Sequence, residues 1–193
     1  ESNMKKVLIW GNVNSDERME LIFDTLIKMN YEVVFVSTKN ALWNTIKTVE
    51  FIYIPPMEHR VYKFLLSSIL GKRIMCDIYA PLYDTTVNDY KIYKHFHPIA
   101  ILHYLRDYVA MRYSKPVIFL NEAEAEHFIK SVRVKKEKVM YKVLPLYRKE
   151  KKKAQLPYYN KENGKLTLCW TGTYIPLQGV EKIIDAVKKI KKQ

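Results

Sequence analysis

The chain has 193 residues, of which 48% are apolar, and it carries a formal net charge of +13. This length allows one domain with a buried core and part of a second domain. No apolar run approaches the ~18 residues of a membrane span, and Lys5 and Lys6 lead directly into a predicted strand, so we expect neither a membrane-spanning segment nor a signal peptide.

Apolar runs alternate with apolar residues at helical spacing along the first 146 residues. Amphipathic helices are predicted between the runs, and Asn121 with Glu124 indicates a capping box for one of them. Strands that alternate with helices through short links are typical of a doubly wound parallel sheet, so we predict an α/β, Rossmann-like domain over residues 4–146. The six predicted strands are Val7–Trp10, Tyr31–Val36, Phe51–Ile54, Arg73–Tyr79, Pro116–Leu120 and Lys138–Leu144.

The chain changes character after this domain. Residues 147–164 are lysine-rich and aperiodic, which indicates a basic linker. Leu166–Ile190 then predicts a strand, a turn at Gly172 and a helix opened by Gly179, so residues 165–193 are interpreted as the first βα unit of a second, truncated domain. The free N–H groups at such a helix start suit a phosphate, and plain βα packing is the alternative.

The predicted last helix has one apolar stripe. Its members recur at helical spacing: Val180, Ile183, Ile184, Val187 and Ile190. We expect this stripe to pack against the first domain or against a second copy of the chain, which makes a homodimer a hypothesis.

The positive charge is concentrated near the predicted linker. Residues 1–129 contain 15 Lys and Arg against 15 Asp and Glu, whereas residues 130–165 contain 13 against 3. This distribution argues against a nucleic-acid-binding protein. It favours a local basic patch that faces a phosphate or an anionic membrane, and a solvated lysine-rich linker is the open alternative.

Cysteine and histidine give little sign of a reactive site. Cys76 and Cys169 both lie in apolar, strand-like runs, which predicts two buried thiols in a reducing compartment and a cytoplasmic location. The His95-x-His97 pair has no cysteine or carboxylate spacing that completes a metal site, so no metal is expected. No Ser-His-Asp or Cys-His arrangement can be argued from the spacings.

The segment Trp170–Ala186, WTGTYIPLQGVEKIIDA, resembles the opening of the second domain of GT-B glycosyltransferases, specifically the retaining, sugar-nucleotide-dependent group 1 or family 4 enzymes. Tyr79–Thr85, Val117–Phe128 and Val139–Leu146 resemble segments of the family's first domain less specifically. The resemblance implies transfer of a sugar from a nucleotide-sugar donor to a carbohydrate or lipid-linked acceptor, without a cofactor or metal. A non-catalytic Rossmann-like binding module is the alternative.

Ligands of open α/β sheets bind beyond the carboxyl ends of the strands. This rule places Gly11, Asn12, Asp84 and Glu122 on one rim, which the resemblance makes the acceptor side. The GNVNSD loop lacks the paired glycines that the family often has there. Asp84 is also explained as a cap for the helix after Tyr83, and Glu122 as a complement to a helix dipole.

The donor-side candidates are Gly172, Thr173 and Gln178. The resemblance implies that Gly172 lies near the nucleotide diphosphate, but Thr173 and Gln178 stand where many family members have Arg and Lys. The family's main diphosphate-binding Arg/Lys pair and its Glu-x7-Glu motif are not among these 193 residues. Catalytic residues therefore remain unassigned, and we expect this chain alone to be inert or nearly so.

Two further features have two interpretations each. The predicted helix with Arg60, Lys63, Phe64, Leu65 and Ile69 is either a packed surface helix or a helix that lies on the inner face of the membrane. Asp77, inside a predicted strand, either points out of the core or is a buried, hydrogen-bonded acid.

Overall fold

The computed structural model describes residues 4–12, 17–36, 39–146, 168–171 and 179–190. The chain divides into two compact units, Glu1–Arg148 and Lys149–Gln193. The predicted linker, residues 147–164, and the predicted turn at Gly172 lie outside the described residues, so the domain boundaries at 147 and 165 stay predictions.

The first unit contains one six-stranded sheet in which every neighbouring pair of strands is parallel. This confirms the α/β class and the parallel sheet predicted from the alternation of elements. The strands are β1 (Lys5–Ile9), β2 (Tyr31–Phe35), β3 (Phe51–Ile54), β4 (Arg73–Asp77), β5 (Val117–Phe119) and β6 (Tyr141–Val143).

The strand order is β2-β1-β3-β4-β5-β6. The chain runs outward from β1 to β2 and then crosses back to β3 on the other side of β1. Because the direction of winding reverses here, the connections after β1 and β3 lead away from each other. The carboxyl ends of these two strands therefore border a topological switch point.

Helices connect the strands, and further short turns flank them. A π-helix, Asp84–Asp89, follows β4, and a 3₁₀ turn, Lys136–Lys138, precedes β6. The connecting helices are α1 (Glu17–Lys28), α2 (Lys39–Thr48), α3 (Val61–Ile69), α4 (Pro98–Tyr113) and α5 (Glu122–Ser131).

The core lies on both faces of the sheet, since successive strand residues point to opposite faces. Leu8 and Ile52 belong to the larger buried cluster, and their neighbours Ile9 and Tyr53 belong to the smaller one. Met19 of α1 packs in the smaller cluster. Helix residues of the larger cluster come from α2, α3, α4 and α5: Ile46, Phe64, Val109, Ala110, Met111, Ala125 and Ile129.

Asp77 is a buried, hydrogen-bonded acid, the second of its two interpretations. Its carboxylate accepts from Arg18 Nε at 2.6 Å and Nη2 at 3.0 Å, and from the Tyr53 hydroxyl at 2.9 Å. Arg18 also donates to the Leu144 carbonyl. Burial and the nearby Asp77 charge raise the pKa of Tyr53 far above its usual value. This network joins α1 to three parts of the sheet.

Four predicted strands are shorter in the structure. β2 ends at Phe35, not Val36, and β5 covers Val117–Phe119. β4 ends at Asp77, not Tyr79. β6 covers Tyr141–Val143 and does not begin at Lys138, because Lys138 N–H bonds the Lys135 carbonyl at 2.9 Å in the preceding turn. The charged run before β6 offers no apolar side chain to bury, so a turn forms there.

The residues of α3 that were predicted to face a membrane do not share one face in the structure. Lys63 and Phe64 are buried, each 2% exposed, while Leu65 and Ile69 are exposed. α3 thus packs on the core through Lys63 and Phe64, which do not belong to its outer face.

The second unit is described through residues 168–171 and helix α6 (Val180–Ile190). Gly179 precedes α6 with φ of 60°, a left-handed conformation that favours glycine. Residues 168–170, predicted to end a strand, are not in one, and Cys169 is exposed, so only Cys76 is a buried thiol. An unpaired strand leaves its backbone N–H and C=O groups without hydrogen bonds, and no neighbouring strand is described in this unit. No helix within the described ranges is long and apolar enough to cross a membrane.

Candidate functional site

A cleft of about 220 Å³ opens at the switch point. It is built by the segments that follow β1, β2 and β3, where a doubly wound sheet binds its ligands. We call it the switch-point cleft. Its lining consists of Trp10, Gly11, Asn12, Phe35, Val36, Glu58, Arg60, Tyr62 and Lys63.

Gly11 allows the Glu58 side chain to enter this cleft. A Cβ atom on Gly11 would lie 2.6 Å from Glu58 Cγ and 2.8 Å from Glu58 Cβ, which is closer than real contacts allow. The glycine after β1 thus has a specific role: it allows the close approach of a carboxylate-bearing side chain, 47 residues further along the chain.

The Lys63 side chain holds the Glu58 carboxylate in place. Its ammonium group donates to Glu58 Oε2 at 3.0 Å and to the Trp10 carbonyl at 2.6 Å, and it lies 5.5 Å from the centre of the Trp10 ring. The Trp10 and Tyr62 rings meet edge to face at 5.8 Å. The cleft therefore combines an oriented carboxylate with aromatic walls.

Glu58 is held in its ionised form. Burial acts to raise its pKa, but the hydrogen bond and charge of Lys63, the charge of Arg60 and the backbone N–H of Asn12 lower the pKa below its usual value. Burial lowers the pKa of Lys63, and the bond to Glu58 opposes that shift. An ionised, oriented carboxylate accepts hydrogen bonds strongly, so the cleft suits a ligand with several donors.

Asp84 does not line the switch-point cleft. Its buried carboxylate accepts from Asn88 Nδ2 at 2.6 Å, and its other oxygen lies 2.8 Å from His127 Nε2 on α5. The prediction that Asp84 caps a helix after Tyr83 is wrong: Leu82 and Tyr83 are already helical, and the cap position makes no side-chain hydrogen bond. Sequence reasoning missed His127 as the partner, because the two residues are 43 positions apart.

Glu122 lies at the exposed start of α5, again outside the switch-point cleft. The Tyr141 hydroxyl donates to its carboxylate, and Lys136 lies 3.6 Å from it. The hydrogen bond to Glu122 raises the pKa of Tyr141, and Lys136 acts against that shift. The rim predicted as one acceptor surface is thus divided: Gly11 and Asn12 share a cleft, whereas Asp84 and Glu122 belong to neighbouring but different contacts.

A second, wider cleft follows the π-helix, with a volume of about 570 Å³. Tyr83 Oη lies 3.0 Å from His95 Nδ1, and the Tyr83 and Tyr104 rings meet edge to face at 5.4 Å. Asn88, which bonds Asp84, connects that carboxylate to the cleft. The tyrosine-rich sequence after β4 was the signal for this aromatic site. Its lining consists of Tyr83, Asn88, His95, Phe96, Tyr104, Ser131 and Arg133.

Asp107 on α4 positions the loops of both clefts. Its buried carboxylate lies 2.7 Å from His59 Nε2, next to Arg60 of the switch-point cleft. It also accepts from the backbone N–H groups of Leu82 at 3.1 Å and Tyr83 at 2.7 Å, where the π-helix begins. This positioning residue lies inside an otherwise ordinary helical pattern, so no sequence signal marks it.

The histidines serve separate roles in the described part of the chain. His97 Nδ1 accepts from the Ile99 N–H at the start of α4, and His103 Nδ1 lies 3.0 Å from the Thr86 hydroxyl. No group of three or more His, Cys, Asp or Glu side chains within the described ranges could hold a metal ion.

The donor-side candidates Gly172, Thr173 and Gln178 lie outside the described residues. Comparison with protein-family models, with the curated proteins and with the solved structures finds no match to this chain. The relation to GT-B glycosyltransferases therefore rests on the sequence resemblance alone.

Proposed function

We propose that this chain is the acceptor-side part of a GT-B glycosyltransferase, in which a sugar passes from a nucleotide-sugar donor to a carbohydrate or lipid-linked acceptor. The observation that carries the proposal is the switch-point cleft with its fixed, ionised Glu58. The resemblance of Trp170–Ala186 to the family's donor domain supplies the reaction class, and the cleft supplies a place for the acceptor.

The chemistry of the cleft suits a polyhydroxylated ring. The Glu58 carboxylate accepts hydrogen bonds from hydroxyl groups, and the exposed Arg60 guanidinium donates to hydroxyl or phosphate oxygens. Tyr62, which is 46% exposed, offers apolar ring surface to the C–H face of a sugar, and the buried Trp10 ring packs against it edge to face. These groups lie on the fixed ends of adjacent elements, which reduces the ordering cost of binding.

The donor half of the site is proposed by resemblance, with Gly172, Thr173 and Gln178 near the diphosphate and no metal or cofactor. Charge that develops on the leaving diphosphate needs cations or backbone N–H groups to stabilise it. Thr173 and Gln178 supply no cation. The proposal therefore includes binding of an acceptor by this chain without turnover of the donor.

Saturation-transfer NMR on the full chain tests the acceptor proposal. The ligands are free glucose, galactose, mannose and N-acetylglucosamine, and at least one is expected to receive saturation from the wild-type protein. Arg60→Ala removes an exposed donor from the cleft, so it is expected to reduce the transferred signal several-fold. Arg73→Ala, which removes an exposed cation outside the cleft lining, is the matched control and is expected to leave the signal unchanged.

Two results would count against this proposal. One is the absence of saturation transfer to every sugar tested, and the other is equal transfer in the wild type and Arg60→Ala. Transfer to a free nucleotide such as UMP but to no sugar would favour the alternative, a non-catalytic Rossmann-like binding module.

A further inference from the structure

The outer surfaces of α3 and α4 carry large apolar side chains that the core does not use. On α3, Leu65 is 58% exposed and Ile69 is 73% exposed. On α4, Ile101 is 55% exposed and Leu102 is 51% exposed, and Phe96 just before α4 is 91% exposed. Single exposed apolar residues are ordinary, but a group of this size marks an interaction surface.

These residues face the same direction. α3 and α4 pack side by side, and both contribute to the same buried cluster, through Phe64 and Ala110. Their opposite faces therefore both point away from the sheet. We call the following set the outer apolar surface: Tyr62, Leu65, Ile69, Phe96, Ile101, Leu102 and Leu105.

The charge around the outer apolar surface is mostly positive. No Asp or Glu occurs in residues 59–76 or in residues 90–106. Four carboxylates flank these segments: Asp77 and Asp107 are buried, Glu58 bonds Lys63, and Asp89 is partly exposed. The exposed cations of the two segments are Arg60, Arg73, Lys91 and Lys94. Apolar side chains bordered mainly by cations match the surface of an anionic bilayer.

We propose that the outer apolar surface docks on an anionic lipid bilayer. The Leu, Ile and Phe side chains enter the boundary between headgroups and acyl chains, and the Lys and Arg side chains contact the headgroups. A second copy of the chain fits this surface less well, because the exposed charges that would face each other are mostly cations.

The outer apolar surface differs from the membrane-facing residues predicted for α3. Lys63 and Phe64 are not part of it, and residues of α4 are added. It stands independently of glycosyl transfer. Tyr62 belongs both to this surface and to the switch-point cleft. Docking therefore brings the mouth of the cleft to the bilayer, where a lipid-linked acceptor would be presented.

Co-sedimentation of the full chain with vesicles tests the proposal. Vesicles of phosphatidylglycerol and phosphatidylcholine are expected to bind the wild type, and vesicles of phosphatidylcholine alone are expected to bind it much more weakly. The double variants Leu65→Glu/Ile69→Glu and Ile101→Glu/Leu102→Glu place charge on exposed positions, so each is expected to lower the bound fraction by about tenfold. Circular dichroism checks that both variants remain folded.

The matched control is Ile183→Glu/Ile184→Glu on α6, an amphipathic helix with lysines in its last turn. This variant is expected to bind anionic vesicles like the wild type. The proposal is overturned if the wild type does not bind anionic vesicles, or if only the α6 variant loses binding. It is equally overturned if light scattering shows a dimer that the α4 variant converts to monomer while vesicle binding is unchanged.

Discussion

At the scale of single residues, the candidate site depends on one carboxylate and the three groups that hold it. Gly11 leaves room for Glu58, and Lys63 and the Asn12 N–H lower its pKa. The sequence predicted Gly11 and Asn12 from their place after a strand. Glu58 and Lys63 could not be predicted, because the contact with Gly11 depends on how β1 and β3 lie side by side.

Replacing Glu58 by Gln tests this pairing through stability. At pH 7 the variant is expected to lose about 1–3 kcal/mol of unfolding free energy, because the buried Lys63 ammonium then faces a neutral amide. A carboxyl whose pKa is lowered in the folded state stabilises the protein above its unfolded pKa of about 4.3, and this contribution is lost as the pH falls through the folded pKa. The difference between wild type and variant should therefore narrow below about pH 4.

Urea denaturation of both proteins between pH 7 and pH 3.5 measures this difference. Glu50→Gln is the matched control, since Glu50 pairs with Lys5 on the exposed surface and such pairs contribute about 1 kcal/mol or less. Equal stability of Glu58→Gln and the wild type at pH 7 would contradict the account of the pair.

At the scale of elements, local signals predicted helix starts well and failed where the backbone departs from regular geometry. Asn121 Oδ1 accepts from the Glu124 N–H at 2.8 Å, which is one of the two hydrogen bonds of the predicted capping box. The Asp84 cap was wrong because a π-helix, in which the hydrogen bonds span five residues, has no distinct apolar period. The start of β6 was also predicted too early, because a turn precedes the strand.

The Asn121 cap gives an element-scale prediction. Asn121→Ala removes the side-chain acceptor for the first turn of α5, so it is expected to lower the unfolding free energy by about 1 kcal/mol. Asn121→Ser restores an oxygen acceptor and should recover most of that loss. Urea denaturation at pH 7 measures both variants, and an unchanged stability of Asn121→Ala would show that the cap contributes nothing.

At the scale of the whole molecule, alternation of strands and helices was enough to predict a parallel sheet, but not its strand order. The order β2-β1-β3-β4-β5-β6 creates the switch point, and with it the cleft next to Gly11. Asp84 and Glu122 follow other strands and therefore lie away from that point. The outer apolar surface was only partly predicted, because its α4 half becomes visible once α3 and α4 are packed together.

Amide-resolved NMR of the full chain, titrated with the sugar that gives the strongest saturation transfer, measures where a sugar binds. We expect the largest shifts on the amides of Gly11, Asn12 and Lys63, with smaller shifts around the aromatic cleft at Tyr83 and Ser131. Largest shifts at the aromatic cleft, or no shift at the switch-point cleft at saturating sugar, would contradict this expectation.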